Sequence, residues 1–375
     1  MKSNNKRDNS RKIKLNSTLV ILFIFILSPF LLKAQTLEDL EKKISSLSNQ
    51  VSNLKYTHDK ILKQIDDINW VKRLEDFAYV DKVRMTGPPS KSTNSTGKGV
   101  GNPTVFWSYV FIPNNIDLNK KYPLIVFPHG GVHGNFGIGN IHVVKELILQ
   151  GYVIVAPEYR GSTGYGKGFQ QKIDYGALEI DDSKASRDYM LENYDFLDKN
   201  RVGIMGWSHG GMHALLNVFN YPDSYTVAYA GVPVSDLIMR LGYMNDSYRR
   251  LFSASYHIGK EVFQNVKEYR RRSPAFNAHK LKTPLLIHAN TNDDDVLIEE
   301  VEHLISALKA NNKKFDYQIY EDFPGGHHFD RIDSYGAKEV RLKVYKYLEK
   351  HLNPESPFRD LKDLIRQSYF PIKEK

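Results

Sequence analysis

Apolar residues recur along this chain in two rhythms. Over residues 37–68 they fall at Leu37, Leu40, Ile44, Leu47, Val51, Leu54, Ile61, Ile65 and Ile68, and the spacing alternates three and four if His58 fills the one missing position. Such a seam of four to five heptads predicts a helix over residues 36–75 whose apolar stripe pairs with a second helix. The a positions would be Leu37, Ile44, Val51, His58 and Ile65, and the d positions Leu40, Leu47, Leu54, Ile61 and Ile68. β-branched residues at a with Leu at d favour two parallel strands, and Ile at both favours three or more. The alternative is a single amphipathic helix lying along its own body.

From about residue 100 the rhythm changes. Short apolar runs at 105–113, 122–128, 152–156, 202–205, 226–230, 284–288 and 315–320 alternate with helical patterns at 141–150, 181–194, 212–220, 297–310 and 338–352. Strands alternating with helices predict a mostly parallel sheet covered on both faces. Residues 235–282, rich in Tyr and Arg, break the alternation and are expected to form a helical insertion or lid. The expected organisation is a linker at 76–104, a catalytic body at 105–352 and a tail at 353–375.

Charge and composition narrow the picture. The formal net charge is +9, but residues 1–34 hold seven Lys/Arg against Asp8, so +6 lies there and +3 in the rest. No nucleic-acid partner is therefore expected. The basic residues precede an apolar run at 18–32 and then Lys33-Ala34, the pattern of a signal peptide cleaved after Ala34. That run is shorter than the ~18–20 residues of a spanning helix; left uncleaved, it would serve as a membrane anchor. A periplasmic or secreted location is expected. The chain has no Cys, which excludes disulfides, thiolate metal sites and a Cys nucleophile.

The strand at 202–205 runs into Gly206-Trp207-Ser208-His209-Gly210-Gly211, and a helix follows. This is G-x-S-x-G between strand and helix, the setting of a nucleophile elbow and of the α/β-hydrolase fold. Glycines flank the Ser because the turn brings backbone against backbone. The His209 N–H then points where an oxyanion would form. A Ser hydroxyl needs a base, and the base an orienting acid. The strand at 284–288 leads to Asn292-Asp293-Asp294-Asp295-Val296, and the strand at 315–320 to Gly325-Gly326-His327-His328. One of these Asp and one of these His supply the missing partners in the order Ser, acid, His. A second oxyanion donor is expected from His129-Gly130-Gly131, after the strand at 122–128. His129 and His133 lack a third clustered ligand and are read as packing residues; no metal and no cofactor are expected. Gly161–Gly168 nearly matches a phosphate loop, but Gly168 stands where Ser or Thr must hold Mg²⁺.

The segments PLIVFPHGG, APEYRGSTGYGKGF, DKNRVGIMGWSHGG, RRSPAFNAHKLKTPLLIH, NDDDV and HHF together resemble the prolyl oligopeptidase family, in its dipeptidyl-peptidase and acylaminoacyl-peptidase branch. The resemblance covers roughly residues 105–352. It implies a catalytic triad of Ser208, Asp293 (the first Asp of the family's D-D-x-V motif) and His327, with His209 and Gly131 as oxyanion donors. It also implies Val234, Leu237 and Val296 in the wall of the first specificity pocket. Two departures stand out. His209 follows the nucleophile where many members have Tyr. Typical members carry a β-propeller before the hydrolase, whereas here about 70 residues separate the leader from the first strands, and no propeller is expected. The expected activity is cleavage of peptide or aminoacyl bonds through an acyl-enzyme. A carboxylesterase acting on cell-wall or polysaccharide esters, and an inactive coiled-coil scaffold, are the alternatives. The expected partners are a peptide or small acyl substrate and, through residues 37–68, further copies of the chain.

Overall fold

The computed structural model describes residues 17–91 and 96–370, with side chains from residue 36 onward. Residues 1–16 of the expected leader lie outside the described residues, as do the side chains of its remainder. Among the described residues no helix is long and apolar enough to cross a membrane. The chain divides into two units, Met1–Thr57 and His58–Lys375.

The second unit is built on one eight-stranded sheet in the order β1-β2-β4-β3-β5-β6-β7-β8. Its strands are β1 (Ala78–Pro89), β2 (Pro103–Pro113), β3 (Tyr122–Val126), β4 (Val153–Glu158), β5 (Leu197–Trp207), β6 (Val227–Gly231), β7 (Leu285–Asn290) and β8 (Asp316–Tyr320). The pairs β1/β2 and β2/β4 are antiparallel and every other pair is parallel. Strands β3, β4, β6 and β7 are buried along their whole length. Helices cover both faces of a parallel sheet, so its strands read as unbroken apolar runs.

Each parallel crossover carries a helix. α2 (Ile141–Leu149) follows β3, and α3 (Lys167–Gln170) and α4 (Leu178–Asn193) follow β4. α5 (His209–Asn220) follows β5, and α10 (Ile298–Ala310) follows β7. α6 (Leu237–Tyr243), α7 (Asp246–Ser253), α8 (Val266–Arg272) and α9 (Pro274–Asn277) fill the expected insertion. α11 (Tyr335–Leu352) and α12 (Leu361–Ser368) close the chain. Alternate residues of β2 feed the two halves of the core: Phe106, Val110 and Ile112 point into one, Tyr109 and Phe111 into the other.

Three expected boundaries move. The linker at 76–104 contains β1, an edge strand whose polar Asp81, Lys82 and Arg84 hide the apolar alternation; charged residues are usual on an edge. Of the tail expected at 353–375, the described residues 353–370 belong to the body: Phe358 and Leu364 are buried, and the Tyr369 hydroxyl donates to Glu146 Oε1 at 2.6 Å. The heptad helix is longer than expected. α1 runs over Ser17–Leu74, and its last turns lie on the sheet-bearing body through a face other than the heptad seam. Lys63, Trp70 and Leu74 are buried, while Ile61, Ile65 and Ile68 remain exposed. Trp70 Nε1 donates to the Phe136 carbonyl at 3.2 Å, and Asp67 accepts from Lys82 Nζ at 2.8 Å.

Candidate active site

Ser208 sits between β5 and α5 with φ 58° and ψ −123°, a left-handed conformation that costs a residue with a side chain on the order of 1–3 kcal/mol. Backbone contacts hold it there. Its N–H donates to Gly231 O at 3.0 Å, and its carbonyl accepts from Met212 at 3.0 Å and Val234 at 3.2 Å. The flanking glycines have no alternative. A Cβ on Gly206 would lie 2.4 Å from the Gly210 carbonyl oxygen, and one on Gly210 would lie 2.4 Å from Pro128 O. The first N–H groups of α5 have no intrahelical acceptor, which leaves the His209 N–H free to face an anion beside Ser208.

Asp293 and His327 meet in the loops after β7 and β8. His327 Nδ1 lies 2.7 Å from Asp293 Oδ2 and 2.9 Å from Oδ1, so the ring proton is on Nδ1 and the carboxylate accepts it. Asp293 Oδ1 also accepts the N–H groups of Asp295 and Val296, both at 2.9 Å. Both partners are buried. The hydrogen bonds of the His327 ring go to Asp293 and none runs to Ser208. Its Nε2 faces Asp295 Oδ2 at 3.6 Å.

The His327 loop is fastened on both sides. Asn290, the last residue of β7, donates to Phe323 O at 2.9 Å and Gly326 O at 3.1 Å, and accepts from Phe323 N–H at 3.1 Å. Gly325 and Gly326 adopt φ 113° and 52°, left-handed values that let the chain curl. On the other side Trp207 Nε1 donates to Asp330 Oδ2 at 2.7 Å, and Tyr229 OH donates to the same oxygen at 2.8 Å. Arg331 donates to the His327 carbonyl and stands over the Trp207 ring. The residue before the serine is thereby joined to the loop that bears the imidazole.

The glycine loop after β3 lies against the same turn. A Cβ on Gly130 would be 3.1 Å from the Trp207 carbonyl and 3.4 Å from Ser208 Cβ. Gly131 has φ 80°, and its carbonyl accepts from His209 Nδ1 at 3.0 Å. His129 packs as expected: its ring stacks on Tyr159 at 4.2 Å and bonds Ser162 Oγ at 2.8 Å, and burial pushes it down to about 3. His133 Nδ1 bonds the Gly161 carbonyl at 2.9 Å.

Val234, Leu237 and Val296 are all buried within one half of the core. Val234 and Val296 touch the site through their backbones, bonding Ser208 and Asp293, and Leu237 bonds Ser273 Oγ. Sequence reasoning missed the groups that fasten the insertion to the acid loop. Arg240 Nη2 bonds Asp295 Oδ1 at 2.8 Å, and Tyr243 OH donates to the buried Glu300 at 2.6 Å. It also missed Lys63, whose ammonium pairs with the buried Glu158 under the glycine loop. None of these three pairings leaves a local sequence signal, because the partners in each lie more than fifty residues apart.

A mostly parallel sheet, a strained serine at a strand-to-helix turn and a carboxylate–imidazole pair beyond later strands define an α/β-hydrolase with a serine-hydrolase constellation. Residues 140–355 match the model of the prolyl oligopeptidase family, and the chain belongs to that family. Dipeptidyl peptidase 8 of Homo sapiens is 30% identical over 257 residues, which cover 66% of this chain and 27% of that protein. The acylamino-acid-releasing enzyme of Sus scrofa is 24% identical over 261 residues, 68% of this chain and 35% of that enzyme. The chain thus spans about a third or less of the length of these relatives. Among solved structures, Pyrococcus horikoshii acylaminoacyl peptidase shares the fold, with a TM-score of 0.61 at 20% identity over 77% of this chain and 44% of that one.

Proposed function

We propose that the protein is a serine peptidase that cleaves peptide or aminoacyl bonds through an acyl-enzyme, with Ser208 as nucleophile, His327 as base and Asp293 as the group that orients it. The observation that carries this reading is the 2.7 Å bond from His327 Nδ1 to Asp293 Oδ2, in a loop bonded to the residue preceding Ser208. With Nδ1 protonated and held, Nε2 carries the lone pair that accepts the Ser208 proton. The serine oxygen attacks the carbonyl carbon, and the N–H groups of His209 and Gly131 receive the negative charge that develops on its oxygen. Collapse breaks the bond to the leaving amine, which takes the proton from His327 Nε2. Water, deprotonated by the same nitrogen, then releases the acyl group and restores Ser208.

Labelling with a fluorophosphonate and turnover of aminoacyl-arylamides beside short acyl esters test the reading. Wild-type protein should label at Ser208 and Ser208→Ala should not. Arylamides should turn over, and Asp293→Asn should lower kcat on the order of 10⁴-fold while keeping the geometry. Turnover of esters alone would refute the peptidase assignment in favour of a carboxylesterase, and absence of labelling would refute catalysis altogether.

Two further readings belong to the whole chain. Export through residues 1–34 is supported by their basic start, apolar run and Ala34. Self-association through the heptad seam is supported by the exposure of Leu37, Leu40, Ile44, Leu47, Val51 and Leu54 on a helix, with a and d positions suited to a second copy.

A further inference from the structure

Behind the elbow, three side chains turn metal-ligating atoms toward one another. Glu179 on α4 and His209 and His213 on α5 present a carboxylate oxygen and two imidazole nitrogens, all within 4.8 Å of one another. His209 and His213 are four apart, on one face of the helix. All three are 1% exposed or less.

The hydrogen bonding of the rings points to a cation. His209 Nδ1 lies 3.0 Å from the Gly131 carbonyl and 3.1 Å from the Tyr159 hydroxyl; that hydroxyl gives its one proton to the His129 carbonyl at 2.9 Å, so both neighbours of Nδ1 accept and Nδ1 carries the proton. In the neutral ring, Nε2 then directs a lone pair at Glu179 Oε1, 3.5 Å away. Two electron-rich groups facing each other in a buried site demand positive charge between them. His213 is held through its Nδ1 as well, bonded to Ser183 Oγ at 2.9 Å. His209 Nε2 and His213 Nε2 have no hydrogen-bond partner among the described residues. Imidazoles tied back through one nitrogen, with the other directed at a common point, are the usual second shell of metal-binding histidines. Glu179 is oriented too, accepting from the backbone N–H groups of Gly176 and Ala177.

We propose that Glu179, His209 and His213 bind one divalent transition cation, with Zn²⁺ as the best match to two imidazoles and a carboxylate. Bonds of about 2.0–2.2 Å place tetrahedral donors roughly 3.3–3.5 Å apart. The Glu179–His209 separation of 3.5 Å already meets this, and the remaining donors, within 4.8 Å, close by about 1.5 Å or less. Three protein donors leave a fourth coordination position. His209 is also the residue whose backbone N–H opens α5 beside Ser208, so the cation ties α4 to the elbow and holds the first turn of α5. Its role is to position that turn.

The test uses the full chain, stripped with a chelator and then titrated with Zn²⁺ by calorimetry and equilibrium dialysis. One equivalent should bind and raise Tm, and Co²⁺ in its place should give the visible absorption of a tetrahedral ion. Glu179→Gln and His213→Gln should each lower affinity on the order of 100-fold or more, and the exposed His279→Ala should leave it unchanged. Ser183→Ala keeps every ligand and frees only the His213 ring; it should weaken binding about 10–100-fold, which decides the matter if a ligand variant fails to fold. No Zn²⁺ bound by wild-type protein, or an equivalent that survives both ligand substitutions, would overturn the proposal. Fluorophosphonate labelling of Ser208 has no bearing on it, so the two readings fail separately.

Discussion

Lys63 and Glu158 form an ion pair shut away from solvent, the ammonium from α1 and the carboxylate from the end of β4. Lys63 Nζ also donates to the Phe136 carbonyl at 3.0 Å, and Glu158 Oε1 accepts the Phe136 N–H at 3.1 Å. The pair therefore bolts the last turns of α1 to the loop that follows the HGG segment. Removing one member of a buried pair strands the other charge, at a cost of about 3–5 kcal/mol. Lys63→Met should lose that much in chemical denaturation, and Lys63→Met with Glu158→Gln should regain most of it. Equal stability of the single variant and wild type would show that the pair does not hold the helix down.

Gly206 and Gly210 admit no side chain, because the atoms they would strike belong to backbone. Gly206→Ala should destabilise by about 3 kcal/mol or more and abolish fluorophosphonate labelling through displacement of Ser208. Gly139, with nothing within 4 Å of an added Cβ, is the control: Gly139→Ala should stay within about 0.5 kcal/mol of wild type. Full labelling of Gly206→Ala would mean the turn has slack that the structure does not show.

His288, within β7, is pushed down to about 4 by burial. The unfolded chain binds its proton near 6.5, so the unfolded state gains protons first as pH falls. The stability contributed by neutral His288 is complete above pH 6.5, is lost between 6.5 and about 4, and changes no further below. The loss is on the order of 3 kcal/mol. Unfolding free energies across that window should fall more steeply for wild type than for His288→Asn, and parallel slopes would exclude His288 as the source.

Self-association is tested on residues 35–375 without truncating the helix, since Lys63, Trp70 and Leu74 are needed by the body. Leu47→Lys with Leu54→Lys places charge at two d positions, where a buried seam tolerates none. Solution mass should drop from oligomer to monomer with activity per chain retained. An unchanged mass would remove the heptads from the account.

The parts of this molecule legible in its sequence are those whose physics is local. The elbow shows as two glycines around Ser208 because the collisions they avoid arise within five residues. The parallel strands show because burial on both faces makes them uniformly apolar. The loops bearing Asp293 and His327 show because each follows such a strand. β1 was hidden by the charges of an edge strand, and α12 by the shortness of its apolar face. The helix of α1 was legible from its spacing of apolar residues, whereas its contact with the body was not, because Lys63 reads as solvated until Glu158 is found 95 residues away. His213 likewise reads as a core residue until α4 brings Glu179 beside it.

Trp207 is one of three tryptophans in the chain, and its indole N–H is bonded to Asp330, three residues beyond His327. Any displacement of that loop must break this bond and alter the polarity around the indole. The molecule thus carries an internal fluorophore wired to its base-bearing segment. Emission from this ring, isolated as the difference between wild type and Trp207→Phe, would report, in real time and without an added dye, whether the segment is seated while substrate comes and goes.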